Sequence, residues 1–382
     1  MKTRIFIVRH AEAEGNLFRR IHGQYESSVT ANGMRQIQAL RERFAQEQID
    51  ACYASDLIRT RTTAQAIYVP KHLPLQCDPR FREVRLGVWE DVPFGELETE
   101  QGEMMAKFNG DPLHWLVEGA EDFRTYSSRF LEAMEEAARR HAGGTIAIVS
   151  HGCVIRSMQQ RLFYPDGSGD PGHCDNTGLS LLEYEDGAYR AVYLNDNSHL
   201  SDEISTFARQ QWWREGGKKT DHNLWFRPLD QGESWYTACR EDAWKEVYGS
   251  GLGFAGHAYY QDALTSTVGY AGALCQAQLG RKAVGIVQLA PNKGAEHGIG
   301  HVSFLYLLPE CRGKGLGIQL LGQAISVYRA MGRNRIQLCV SQQNSRAMAF
   351  YQKYGFQTVG TCPGSAGELL VMERNVDVNR YL

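Results

Sequence analysis

Residues 4 to about 195 alternate short apolar runs with long stretches whose apolar residues recur at helical spacing. That alternation constrains the fold more than any other feature. Ile5-Phe6-Ile7-Val8 and Ile146-Ala147-Ile148-Val149 read as buried strands, and residues 31–47 and 121–140 as helices. The pattern predicts βαβ units around a mostly parallel sheet. Two further β-rich segments, 178–184 and 188–194, flank Glu185-Asp186-Gly187, which reads as a hairpin turn. A polar stretch then ends in Arg214-Glu215-Gly216-Gly217-Lys218-Lys219-Thr220-Asp221, whose charges and paired glycines mark a connection. The expected organisation is a first domain over 1–205, a linker over 206–222 and a second domain over 223–382. The second opens with a strand (224–229), helices to about 262 and apolar runs at 283–289 and 301–308. A glycine-rich turn, a helix (316–330), a strand (335–340), a helix (344–354) and closing strands complete it. A length of 382 residues suits two cores better than one.

Composition narrows the partners. Hydrophobic residues make up 43% and charged residues 22%, and 41 basic against 44 acidic side chains leave a formal charge of -3. That balance gives no electrostatic case for a nucleic-acid or membrane partner. Every apolar run is far shorter than the ~20 residues of a membrane span. Met1-Lys2-Thr3-Arg4-Ile5 runs straight into a strand without a signal-peptide core, so the expected location is the cytoplasm. Nine cysteines without a C-x-x-C pair argue against a disulfide framework or a zinc ribbon. His297 and His301 flank Gly298-Ile299-Gly300, a poor helix, and read as strand-end histidines; no metal is expected.

Chemistry gathers at strand ends. Arg9-His10 follows the first apolar strand directly, and His151 follows Ile146–Val149 with only Ser150 between. Ligands of open α/β sheets bind at such carboxyl ends. A neutral imidazole is a competent nucleophile, and nearby guanidiniums disfavour its protonation. The same guanidiniums clamp phosphoryl oxygens and stabilise transition-state charge, while a carboxylic acid is needed to protonate the leaving alkoxide. The set suits phosphoryl transfer through a phosphohistidine.

Arg9-His10-Ala11-Glu12-Ala13-Glu14-Gly15-Asn16 resembles the R-H-G/A-E-x-x-x-N signature of the histidine phosphatase (phosphoglycerate mutase-like) superfamily. Thr30-Ala31-Asn32-Gly33-Met34-Arg35-Gln36 is similar to its T-x-x-G-x-x-Q segment, and Ser55 to Ala64 to its S-x-L-x-R-x-x-x-T-A segment. Glu83 to Glu90 resembles E-x-x-x-G-x-W-E, and Val149-Ser150-His151-Gly152 resembles V-S-H-G. The resemblance implies a three-layer α/β/α sandwich. It makes His10 the phosphate-accepting nucleophile. Arg9, Arg59 and His151 would bind the phosphoryl group, with Asn16 as an additional contact, and Glu83 would be the general acid. Arg61 is expected on another helix face. One sizeable insert, from Trp89 to about Glu121, leaves little chain for a mutase lid and favours a phosphatase. Tyr25, Phe94, Met104, Met105, Phe108 and Trp115 are candidates for a substrate pocket or for ordinary packing.

In the second half, Arg312-Gly313-Lys314-Gly315-Leu316-Gly317 opens a helix directly after an apolar strand, a turn suited to phosphates. It is neither a P-loop nor a complete dinucleotide fingerprint. It resembles the R/Q-x-x-G-x-G/A loop of the GNAT acyltransferase superfamily. Asn344 to Phe356 is similar to that family's N-x-x-A-x-x-F-Y-x-K-x-G-F segment. The resemblance implies a mixed α/β sheet and acetyl-CoA as acyl donor. Gly313, Lys314, Gly315 and Gly317 would present amides to its pyrophosphate, Leu307 and Arg312 would also border the cofactor, Asn344 would touch the pantetheine arm, and Tyr351 would protonate the departing thiolate. Glu296, His301 and Glu310 are the candidate bases. The expectation is a bifunctional enzyme acting on a small phosphoester and a small amine. The alternatives are a phosphatase tuned by a non-catalytic acyl-CoA-binding domain, and a phosphomutase.

Overall fold

The computed structural model describes residues 1–166, 169–210 and 223–378. They divide into two compact units. The first comprises Met1–Val92 with the described part of Gln101–Asp221 and Val378; the second comprises Pro93–Glu100 with the described part of His222–Asp377. Among the described residues no helix is long and apolar enough to cross a membrane.

The first unit runs β1 (Thr3–Arg9), α1 (Glu14–Phe18), α2 (Ala31–Arg43), β2 (Ala51–Ala54), α3 (Ile58–Tyr68) and β3 (Leu75–Cys77). After α4 (Phe94–Glu100), which belongs to the second unit, come α5 (Gly102–Gly110), α6 (Phe123–Arg140), β4 (Thr145–Ser150) and α7 (Gly152–Phe163). The hairpin β5 (Leu179–Glu185) and β6 (Ala188–Asp196) and the short α8 (Thr206–Gln210) complete it. The strands form one sheet in the order β3-β2-β4-β1-β5-β6. β1 to β4 pair in parallel, and β5 and β6 add antiparallel strands at one edge.

Strand alternation sends β1 side chains to two layers. Phe6 and Val8 join Ile37 and Leu40 of α2, Phe44 just after it, and Ala64 and Ile67 of α3 in one core. Ile5 and Ile7 are equally buried on the opposite face, where α6 and α7 pack against β1. The α6 stripe of Tyr126, Phe130, Met134 and Ala137 follows helical spacing, and Asp122 caps the helix by accepting from Thr125 N–H. At the hairpin, Asp186 and Gly187 both adopt positive φ (52° and 87°), the turn that Asp-Gly favours. The parallel register of β1 and β4 brings two histidines together. Arg9 pairs with Ser150, so the residues just beyond, His10 and His151, leave the sheet side by side.

The second unit holds β7 (Leu224–Pro228), α9 (Gly232–Tyr248), α10 (Gly256–Thr267), β8 (Leu274–Leu279), β9 (Lys282–Ala290) and β10 (Ile299–Leu307). α11 (Gly317–Ala330), β11 (Arg335–Ser341), α12 (Ser345–Lys353), β12 (Gln357–Gly364) and β13 (Gly367–Asn375) come after them. Seven strands form a mixed sheet in the order β12-β13-β11-β10-β9-β8-β7, in which β10 and β11 are parallel. α9 and α10 cover one face through Tyr236, Cys239 and Ala263 against Ile286 and Tyr306. α11 buries Ile318, Leu321, Ala324 and Ile325. α4 packs on β7, where the Gly95 backbone lies so close that a Cβ would meet the Asn223 carbonyl oxygen at 2.4 Å.

Two sequence expectations differ from what is seen. β8 was not expected, because Gln276 and Gln278 interrupt its apolar pattern although both are buried. Residues 206–210, expected as linker, form α8: Thr206 Oγ1 accepts from Gln36 and Arg209 pairs with Glu12. The rest of that linker, 211–222, lies outside the described residues.

Candidate active site

Three imidazoles and two guanidiniums meet at the carboxyl ends of β1 and β4. The His10 and His151 rings lie 5.3 Å apart, and His22 stands edge-on to His10 at 5.8 Å. His10 Nδ1 is 2.7 Å from the carbonyl oxygen of Ala11, which can only accept. The proton therefore sits on Nδ1, and Nε2 carries the lone pair. Ser55 Oγ accepts from Leu57 N–H and lies 2.8 Å from His151 Nε2. With the Ser55 hydroxyl donating to Nε2 the His151 proton sits on Nδ1, and with the ring donating to Ser55 Oγ it sits on Nε2.

Arg59 is 0% exposed. It donates through Nη1 to the carbonyl of Tyr25 (2.8 Å) and through Nη2 to that of Gly23 (2.7 Å). Arg9 Nη1 donates to the Cys174 carbonyl at 2.6 Å. Arg9 Nε, Arg59 Nε and His151 Nδ1 are buried with no partner among the described residues. Buried donors are nearly always paired, so a concentration of orphans around one imidazole marks a place for an acceptor. A tetrahedral oxyanion supplies several acceptor oxygens at once.

Glu83 stands at the start of α7. Its carboxylate accepts from the N–H groups of Cys153 (3.0 Å), Val154 (3.1 Å) and Val84 (3.0 Å). These bonds and the positive end of the helix fix its position. Asn16 uses Oδ1 to accept from Ala13 N–H at 3.0 Å, which closes the first turn of α1.

Much of each motif builds the frame. Thr30 caps α2 by accepting from Gly33 N–H and donates to Glu12 Oε1 at 2.6 Å. A Cβ on Gly33 would meet the Glu12 carbonyl oxygen at 2.2 Å, so only glycine lets α2 approach the loop after His10. Gln36 Oε1 accepts from Glu12 N–H at 2.7 Å, and Thr63 Oγ1 from Ala11 N–H at 2.9 Å. Glu90 Oε1 accepts from Gln24 and Leu86 N–H, holding the Gly23–Tyr25 carbonyls under Arg59. Gly152 leaves room for Arg9, whose Nε would lie 3.2 Å from an added Cβ.

Electrostatics favour neutral histidines. Burial first, then Arg59 and Arg9, hold His10 and His22 well below the ordinary imidazole range. Burial, then Arg59 and His10, do the same to His151. Sequence reasoning credited the guanidiniums with this effect; burial is the larger cause. Arg59 is lowered to about 10 by burial, opposed by Glu83, Glu26 and Glu90.

The second unit carries a different opening. β10 and β11 pair only as far as Val302 and Leu338, while β10 runs on to Leu307 against β9. Beyond Val302 the two parallel strands part, and an irregularity between Val302 and Phe304 marks the point. At the far end, Gly313 and Gly315 adopt positive φ (75° and 76°) with open space around them. Among the described residues the N–H groups of Gly313, Lys314 and Gly315 donate to no backbone carbonyl. Gly317 opens α11, where a Cβ would meet the Phe350 ring at 3.2 Å. Leu307 ends β10, and its carbonyl accepts from Arg312 Nε at 2.9 Å. Arg312 also pairs with Asp242 and Glu246, both at 2.6 Å, so its guanidinium serves α9. Asn344 caps α12 by accepting from Ala347 N–H at 3.0 Å. Tyr351 packs between Phe350 and Phe356, and burial pushes its hydroxyl up to about 12. Glu296 and Glu310 are exposed and pair with His297 and Lys282. His301 is buried with Nε2 3.0 Å from Lys293 Nζ; burial, then Lys293, lower it to about 4.

Comparison with known proteins decides the family. The model of the histidine phosphatase superfamily (branch 1) matches residues 5–197. The chain belongs to that superfamily. The model of the acetyltransferase (GNAT) family matches residues 230–356, so the chain carries a GNAT domain as well. Phosphoserine phosphatase 1 of Hydrogenobacter thermophilus is 28% identical over 201 residues, covering 52% of this chain and 95% of that protein. A probable phosphoglycerate mutase GpmB of Yersinia pestis is 30% identical over 194 residues, covering 49% and 87%. Among solved structures, Bacillus stearothermophilus YhfR is 27% identical with a TM-score of 0.49, covering 52% of this chain and all of that one.

In the histidine phosphatase domain the expected His10, Arg9, Arg59 and His151 come together, and Glu83 stands close enough to act on Arg59 electrostatically. His22 was missed; it lies in a loop outside every motif and enters the site through the fold. Trp115 is buried against Trp89 and Phe108, so Trp115 and Phe108 pack together, and Phe94 belongs to the second unit.

Buried neutral histidines make stability depend on pH. The unfolded chain takes up protons near the ordinary histidine value of about 6.5, whereas the folded pocket resists them. Lowering the pH from 7.5 to 5.5 should therefore lower Tm, and His10→Asn should flatten that dependence by about one proton. Thermal melts across this range test it; an equal slope in the variant counts against a buried neutral His10.

Proposed function

We propose that the histidine phosphatase domain hydrolyses a small-molecule phosphomonoester through a phosphohistidine at His10, and that the GNAT domain transfers an acetyl group from acetyl-CoA to a small amine. The observation that carries the first reading is the lone pair of His10 Nε2 beside the buried, unpartnered Arg9 Nε, Arg59 Nε and His151 Nδ1. Arg9, Arg59 and His151 bind the phosphoryl oxygens, and Asn16 Nδ2 adds a contact. His10 Nε2 attacks phosphorus; the ester P–O bond breaks, and Glu83 gives its proton to the leaving alkoxide. Glu83 then takes a proton from water as the hydroxyl attacks phosphorus. The P–N bond breaks, releasing phosphate and neutral His10. Guanidiniums already fixed in a buried pocket need little reorganisation as charge develops, which is the main source of rate.

For the GNAT domain, the free amides of the Gly313–Gly315 turn and the unpaired edge of β10 suit a diphosphate and an amide-bearing arm. When bound, acetyl-CoA supplies an activated acyl group. Gly313, Lys314, Gly315 and Gly317 hold its pyrophosphate, Asn344 and Leu307 border the arm, and Tyr351, protonated at neutral pH, gives its proton to the departing thiolate. Arg312 supports the turn from α9.

Hydrolysis rather than isomerisation rests on the shortness of the insert after Trp89, and the names of the two relatives keep both outcomes in view. Glu83→Gln should slow release of phosphate from alkyl phosphates by about 100-fold or more, and from nitrophenyl phosphate far less, because nitrophenolate scarcely needs a proton. Equal slowing of both removes Glu83 as the acid. Incubation with 3-phosphoglycerate and a trace of its bisphosphate should yield no 2-phosphoglycerate; efficient isomerisation makes the domain a mutase.

A further inference from the structure

Arg240 of α9 lies over the sheet where β10 leaves β11. Its Cζ is 4.0 Å from the ring centre of Phe304, the residue just past the irregularity in β10, and 4.7 Å from that of Tyr259. Two rings against one guanidinium fix its plane. Nε donates to Tyr236 Oη at 3.1 Å and Nη2 to Gln288 Oε1 at 3.1 Å. A guanidinium has five N–H groups, so most of this one's donors are uncommitted.

No carboxylate pairs with Arg240 among the described residues. The acids nearby on the same helix, Asp242 and Glu246, are taken by Arg312. Gln288 faces Phe304 across the β9–β10 ladder and is 0% exposed. Its Oε1 also accepts from Tyr236 Oη at 2.6 Å, while its Nε2 has no partner. Asp262 of α10 acts on Tyr236 electrostatically but forms no ion pair with Arg240 among the described residues. A half-buried cation without a paired carboxylate and a fully buried amide donor without an acceptor therefore stand side by side. Each is costly alone, and one planar anion satisfies both.

We propose that the acetyl acceptor is a small amine bearing a carboxylate, an amino acid in chemical class, whose carboxylate binds Arg240 and Gln288 Nε2. The inference rests on the acetyltransferase reading above. Phe304 joins the two sites: its ring lies under Arg240 and its backbone borders the parting of β10 and β11. The amine nitrogen attacks the thioester carbonyl carbon and loses a proton. The C–S bond breaks, and the thiolate takes a proton, leaving an N-acetyl amino acid and the free thiol.

The test uses the full chain, acetyl-CoA and matched sets of amines: the common amino acids, their carboxamides and their decarboxylated counterparts, with thiol release as readout. At least one amino acid should be acetylated and its two counterparts that lack the carboxylate should not. Arg240→Gln should raise KM for that amino acid by about 10- to 100-fold, the worth of a hydrogen bond to a charged group, with a smaller change in kcat. Calorimetric affinity for acetyl-CoA should stay unchanged, and Arg240→Lys should recover part of the loss. Equal acetylation of the carboxamides or decarboxylated amines overturns the assignment and leaves the transferase reading standing, as does an unchanged KM in Arg240→Gln. Loss of acetyl-CoA binding in both variants makes Arg240 a structural residue and also overturns it. If the wild type acetylates no amine in these sets, the carboxylate proposal fails. If it then binds acetyl-CoA without releasing thiol to any amine, carboxylate-bearing or not, the transferase reading fails with it.

Discussion

The burial of Arg59 is the constraint on which the rest of the first domain depends. A guanidinium withdrawn from water needs its donors met, and here the carbonyls of Gly23 and Tyr25 meet two of them. Those carbonyls are in place because Glu90 grips the N–H of Gln24, and Glu26 in turn caps α3 by accepting from Ile58 N–H. Carboxylates therefore surround the pocket at one remove, close enough to steady the charge of Arg59 without neutralising it by contact. The Nε of Arg59, like Arg9 Nε and His151 Nδ1, is buried without a partner among the described residues. The fold tolerates that cost locally.

His10 shows how one backbone carbonyl decides chemistry. Burial and nearby guanidiniums keep the ring neutral, but neutrality alone does not say which nitrogen is nucleophilic. The bond to Ala11 settles that, and Ala11 is held by Thr63, a residue of the same helix that carries Arg59. His10 and Arg59 are thus positioned by a single turn of α3.

Those relations divide what was legible in the sequence from what was not. His10 and His151 were legible because each ends an apolar run, and parallel register places such ends together. Glu12, Thr30, Gly33, Gln36 and Glu90 stood in recognisable motifs, yet their work is to seat loops, which only three-dimensional partners reveal. His22 had no local signal. β8 escaped because Gln276 and Gln278 mimic a surface segment while both are buried. Arg312 matched a motif for anion binding, but its guanidinium turns to Asp242 and Glu246, acids far earlier in the chain that spacing could not connect. Arg240, by contrast, belongs to no motif, and its lack of a paired carboxylate is visible only in the packed helix.

Covalent capture of the phosphoryl group tests the central claim most directly. Nitrophenyl phosphate labelled at phosphorus, mixed with the enzyme and quenched in base within the first turnovers, should leave label on the peptide containing His10. The label should survive base, be lost in acid, and be missing from His10→Asn. Label that persists in the variant, label stable to acid, or turnover of wild type with no captured phosphoenzyme would contradict a phosphohistidine at His10.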